Sequence, residues 1–205
     1  MARVQDMTTG NPTRLILGFA LPMLLGNLFQ QLYSMVDTIV VGRFVGVNAL
    51  AAVGAIGSID WMVLGSVIGL TQGFTILVAQ SFGAEDYVGL RRAFTMAVYL
   101  SAMIAIAITV ASFFFTMPLL RLLNTPSDII DGSRTYIGTI FCGMTVIVFY
   151  NLFASVLRAM GDSRTPLVAM IIASLLNIVL DLLFVIVFDM GVLGVAVATV
   201  TAPVF

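Results

Sequence analysis

Six apolar runs alternate with short polar connections along the chain, at residues 14–45, 49–82, 92–120, 132–157, 166–188 and 192–205. A helix needs about 20 mostly apolar residues to cross a hydrocarbon core of about 30 Å, and the first five runs reach that length. The sixth run, of 14 residues, covers only about 21 Å of helix. The pattern predicts an all-α, polytopic membrane protein, a six-helix lobe with its sixth helix truncated, over residues 1–205. It also predicts that the sequence is a piece of a longer protein. Between the runs, Gly83-Ala84-Glu85-Asp86, Asn124-Thr125-Pro126-Ser127-Asp128 and Gly161-Asp162-Ser163-Arg164-Thr165-Pro166 carry the residues that stop and start helices. Thr165 is expected to cap a helix whose first residue is Pro166. Residues Met1 to Thr13 read as a short cytoplasmic lead, without the apolar core of a cleaved signal.

Polar residues inside the runs carry the chemistry. In the first run, Gly26, Gln30, Tyr33 and Asp37 recur at intervals of four, three and four, and Asn27, Gln31, Ser34 and Thr38 repeat that spacing one residue over. One helix face is therefore polar and ends in a carboxylate. In the fifth run Ser174, Asn177 and Asp181 share a face. A carboxylate near the bilayer midplane costs about 2.5–3.5 kcal/mol on insertion scales, so acids kept there usually face water and mark an ion or substrate route. If Asp37 and Asp181 are neighbours, repulsion in a poor solvent favours a proton or a cation held between them. Asn151 in the fourth run and Thr199 in the sixth add oxygens suited to a hard monovalent cation or to a proton held on a carboxylate. Pro22 removes one hydrogen bond from the first helix and marks a kink or hinge.

Composition agrees: 60% hydrophobic and 9% charged residues with a mean hydropathy of +1.13 lie outside the range of soluble domains. Nine basic residues, scattered singly or in one pair, against ten acidic ones exclude a nucleic-acid surface. With no lysine and no histidine, the chain has neither a phosphate-cradling Gly-x-x-x-x-Gly-Lys loop nor a histidine relay. No cofactor is expected, and no ATP hydrolysis. Cys142 has no partner cysteine and reads as a small buried hydrophobe. Asp60, followed by Trp61, reads as an interfacial residue beside an aromatic belt in preference to a second polar contact in the cavity, and Gly65, Gly69 and Gly73 read as helix-packing positions. Assigning alternate connections to alternate sides puts Arg3, Arg14, Arg91, Arg92, Arg158 and Arg164 on one side against Arg43, Arg121 and Arg134 on the other. That bias predicts a cytoplasmic amino terminus in the cell membrane.

Taken together, Leu21-Pro22, the stretch from Gly26 to Tyr33, Val36-Asp37-Thr38, Ala79-Gln80-Ser81-Phe82-Gly83-Ala84, Leu157-Arg158-Ala159-Met160-Gly161-Asp162, and Asn177 with Asp181 resemble the amino-terminal lobe of multidrug and toxic compound extrusion (MATE) transporters, in their prokaryotic DinF-like branch. The resemblance covers essentially the whole chain. It implies a twelve-helix protein of two six-helix lobes facing a central cavity, exporting small organic, often cationic compounds in exchange for sodium ions or protons. The family's cation site would fall on Asp37, Asn177, Asp181 and Thr199. Gln30, Tyr33 and Asn151 would lie on the substrate path, and Pro22 would be the point at which the first helix bends. The implied partners are the substrate, the lipid bilayer and the carboxy-terminal lobe. Asp60 has no counterpart in that pattern.

Three other readings were weighed. One is a flippase for lipid-linked saccharides. Another is half of a major-facilitator transporter, for which Gly83, Asp86, Gly89, Arg91 and Arg92 are one residue short of the required spacing. The third is an intramembrane aspartyl protease, whose Gly-x-Gly-Asp signature is missing because Ala159 stands two residues before Gly161-Asp162.

Overall fold

The computed structural model describes residues 11–204. Of the sequence expectations, the lead up to Gly10, Arg3, Phe205 and the Arg14 side chain lie outside the described part. Seven helices follow in order: α1 (Pro12–Val40), α2 (Val47–Gly83), α3 (Tyr87–Leu122), α4 (Ile130–Cys142), α5 (Met144–Ala159), α6 (Arg164–Leu182) and α7 (Gly191–Thr201). Four of these spans are long and apolar enough to cross a bilayer, α4 with α5 makes a fifth bent one, and Gly191–Val204 is a shorter apolar helix.

The helix ends follow from local chemistry. The Asn11 side chain accepts the Thr13 N–H at 3.0 Å, with Pro12 in the first turn, where its missing N–H costs nothing. Asp86 caps α3 by accepting the Gly89 N–H at 2.9 Å. At α6 the sequence reading is corrected. The helix begins at Arg164 and the capping oxygen is Asp162 Oδ1, which accepts from the Arg164 and Thr165 N–H groups, each at 3.0 Å. Thr165 instead donates its hydroxyl to Asp162 Oδ2 at 2.6 Å. A carboxylate accepts more orphan N–H groups than a hydroxyl can, so it wins the cap.

The fourth run is not one straight helix. It breaks at Gly143, and the two halves meet at 50°. The break frees the Phe141 carbonyl, which accepts the Thr109 hydroxyl of α3 at 3.0 Å. A side chain at Gly143 would run into Val200 of α7, so only glycine admits that close approach. Ser133 ties α4 to α2 by donating to the Ala52 carbonyl at 2.9 Å. Around these contacts α2, α3, α4 and α5 share a core of Ile56, Leu120, Ile137, Met144 and Val148. Helix α1 stands apart from that core and packs mainly on α6.

Trp61, Phe113, Phe114 and Leu175 point outward, as expected where lipid is the solvent. Three further expectations are corrected here. Cys142 is exposed, not buried. Gly65, Gly69 and Gly73 are exposed, and a Cβ at Gly69 or Gly73 would meet nothing; α2 packs through Val67, Thr71, Thr75 and Val78 instead. Asp60 is turned inward, and its Oδ1 is buried without a partner. Its neighbour Trp61, about 100° further round the helix, is 80% exposed.

Substitution Gly143→Val should lower the thermal midpoint of the purified protein, by overpacking of about 1–3 kcal/mol, and Val200→Ala should restore part of the loss. An unchanged midpoint would contradict the close α4–α7 approach. Burial pushes the Asp162 carboxyl up, but the Thr165 and Arg164 hydrogen bonds and the Arg164 charge outweigh it and hold the carboxyl below the usual carboxylate range. The stabilisation is therefore present above the ordinary carboxylate pKa of about 4 and is lost as the pH falls through the lower folded value. Removing the cap by Asp162→Ala should cost about 1 kcal/mol at neutral pH, with a smaller deficit in acid. A deficit that does not shrink in acid would contradict the capping role.

Candidate functional site: an acid pair above a polar cavity

Helices α1 and α6 each run from Pro-containing first turns into a widened π-helical turn, Val41–Val45 after α1 and Leu183–Val187 after α6. Such turns recur at functional positions because they break the side-chain register of the helix. The two turns touch. They bring together Asp37, one helical turn before the first, and Asp181, two residues before the second. The carboxyl groups of Asp37 and Asp181 lie within hydrogen-bonding reach of each other. Asp181 is 0% exposed, and neither of its oxygens has a donor. Asp37 Oδ1 and both amide atoms of Asn177, one turn before Asp181, are likewise buried without partners.

Beyond this pair the lobe is closed by Val40, Val41, Val185 and Val195, a dry plug shared by α1, α6 and α7. On the other side a cavity of about 270 Å³ opens. Its walls are Pro22, Gly26, Asn27, Gln30 and Tyr33 of α1, Leu64, Ile68 and Gln72 of α2, Ile147, Tyr150, Asn151 and Arg158 of α5, Ser174 and Asn177 of α6, and Thr199 of α7. Of the residues singled out from sequence, Pro22, Gln30, Tyr33, Asn151, Asn177 and Thr199 line the cavity, while Asp37 and Asp181 sit just beyond its deep end.

Three of the wall side chains donate to their own helices: Thr199 to Val195 O at 3.0 Å, Ser174 to Met170 O at 2.8 Å, and Asn151 Nδ2 to Ile147 O at 2.8 Å. Their oxygens keep lone pairs that can serve a hard cation or a water. No group of three His, Cys, Asp or Glu side chains that could hold a metal occurs among the described residues.

Sequence reasoning missed part of this site. Tyr136 of α4 stands within electrostatic reach of Asp60 and Asp37, and Tyr33 within reach of Asp37, Asp60 and Asp181. Asp60 therefore faces the interior of the lobe, although it does not line the cavity. The signal was present: Asp60, Leu64, Ile68 and Gln72 recur every four residues, as Ile147, Asn151, Ala154 and Arg158 recur at four, three and four, so each set occupies one helix face.

The family model described as MatE matches residues 22–183. The chain belongs to the MATE family. It is 35% identical over 198 residues to the probable multidrug resistance protein YpnP of Bacillus subtilis, covering 97% of this chain and 44% of that protein. The chain thus spans less than half the length of the curated MATE relative. Among solved structures it resembles the outward-facing conformation of a multidrug resistance MATE family transporter of the MOP superfamily, with a TM-score of 0.89 and 30% identity over 95% of this chain and 43% of that one. It also resembles a MATE transporter in the bent conformation, with a TM-score of 0.87 and 30% identity over 95% and 43% of the two chains. Members of this family are membrane transporters, not enzymes, which removes the protease reading, and the MATE fold removes the major-facilitator one.

Two facing carboxyls buried without donors repel each other unless neutralised. In sodium-free buffer Asp37→Asn or Asp181→Asn should therefore raise the thermal midpoint above that of the unsubstituted protein, and added sodium should stabilise the substituted proteins less. Midpoints equal to or below the parent in both variants would contradict the pairing.

Proposed function

We propose that this chain is the amino-terminal lobe of a secondary multidrug exporter, in which inward movement of sodium ions or protons drives a small organic compound out across the cell membrane. The observation that carries the proposal is the buried Asp37–Asp181 pair, one turn from the orphaned Asn177 amide, which itself lines a polar cavity. Asp37, Asn177, Asp181 and Thr199 hold the coupling cation or proton. Gln30, Tyr33 and Asn151 lie on the path of the compound. Binding of a cation or proton removes the repulsion between α1 and α6 and lets their seam tighten. Helix α1, one unbroken span through Pro22, then bends at that proline, where a hydrogen bond is already missing. Bending narrows the cavity, of which Pro22, Gly26 and Tyr33 form one wall, and the compound leaves.

A second six-helix lobe completes the path. Asn27, Gln31 and Ser34 form an exposed polar row on α1, which lipid would not accept but a water-filled cleft facing another lobe would. The glycine face of α2 is exposed as well, and its bare backbone suits close approach by a partner helix. The arginine bias places the amino terminus in the cytoplasm.

In the full-length protein reconstituted in vesicles, Asp37→Asn and Asp181→Asn should each reduce gradient-driven export to the level of protein-free vesicles, and separate sodium and proton gradients identify the coupling ion. Full export in both variants would overturn the assignment.

A further inference from the structure

Among the residues that line the cavity, one is charged, and it is a cation. Arg158 reaches it from the last turn of α5, and no aspartate or glutamate lines it with Arg158. An arginine at that position serves the negative end of a helix dipole, and it counts toward the arginine bias. Neither role requires it to turn inward. Arg158 is half-buried, donates to the buried Ser155 Oγ at a long 3.3 Å, and lies beside the Tyr150 phenol. The nearest acid in sequence, Asp162, is taken up by the Arg164 and Thr165 backbone and the Thr165 hydroxyl. Among the described residues the guanidinium therefore makes one hydrogen bond with its five donors in a partly desolvated wall, a situation that ordinarily calls for a carboxylate or another oxyanion.

We infer that Arg158 is the subsite for an oxyanion on the transported compound, which is an organic anion or zwitterion with an apolar body. This rests on the export reading for its purpose, but not for its test. The guanidinium takes the carboxylate, sulfonate or phosphate end, assisted by Tyr150 and Ser163 at the same end of the cavity. Leu64, Ile68 and Met170 give the apolar body its contact area. The two acids Asp37 and Asp181 lie beyond the deep end, reserved for the coupling cation, so compound and cation occupy separate places. This lobe's share of the wall favours an oxyanion over a purely cationic compound, since among the described residues it offers no carboxylate to a cation.

Two xanthene dyes of the same ring system and opposite charge separate the alternatives: fluorescein, an anion, and rhodamine 123, a cation. Equilibrium binding to the purified full-length protein is followed by fluorescence anisotropy, which needs no gradient and so does not depend on coupling. The unsubstituted protein should bind fluorescein at least about tenfold more tightly than rhodamine 123, the scale of one charge-assisted contact. Arg158→Gln should abolish that preference through a loss of fluorescein binding, with rhodamine 123 binding retained or tightened because a like charge has been removed, and Arg158→Lys should keep part of the preference. Equal binding of the two dyes by the unsubstituted protein, no fluorescein binding, an unchanged preference in Arg158→Gln, or equal loss of both dyes would each overturn the inference. Gradient-driven export of either dye, lost in Asp37→Asn, reports separately on the export reading.

Discussion

Two carboxyl groups that touch inside a membrane protein cannot both stay charged without help from a proton or a cation. The seam between α1 and α6 is built around that constraint. Both helices widen into π-helical turns at the same level, and the turns meet. Asp37 and Asp181 are thereby set against each other with a valine plug on one side and the polar cavity on the other. In the proposed mechanism, neutralising the pair sets how closely α1 lies against α6.

The rest of the lobe makes that decision consequential. Helices α2 to α5 form a continuous core, stiffened by the break at Gly143 and by the Ser133 and Thr109 cross-helix hydrogen bonds. Helix α1 is outside that core and holds on mainly through α6, where Met170 and Leu167 close over Gly26. A shared core with one helix held mainly through a single partner concentrates any change at the α1–α6 seam in that helix. Pro22 lies eleven residues before Tyr33 and lines the same cavity, so a bend there changes the cavity directly.

Much of this could be read from the chain itself. The period of the polar residues placed Gln30, Tyr33 and Asp37 on one face, and the spacing of Asn177 and Asp181 put them on another. That the two faces meet is a tertiary fact which periodicity within one helix cannot contain. Asp60 shows the same limit, because its neighbour Trp61 pointed to the interface, whereas the face that decides its position is set by Leu64 and Ile68. The break at Gly143 was hidden because a glycine in an apolar run carries no sign of the Val200 side chain that fills its place. Thr165 fits a capping position by type, but Asp162 Oδ1 accepts the Arg164 and Thr165 N–H groups and its Oδ2 accepts the Thr165 hydroxyl, so the helix starts earlier.

The most direct test of the central claim is infrared difference spectroscopy of the full-length protein in membranes, recorded on adding sodium or raising the pH. A protonated carboxylic acid absorbs apart from a carboxylate, so the neutralised pair has its own carbonyl-stretching band. The account predicts a band that diminishes on either change and is missing from both Asp37→Asn and Asp181→Asn. A band that persists unchanged in both variants, or no responsive carboxyl band in the unsubstituted protein, would contradict it.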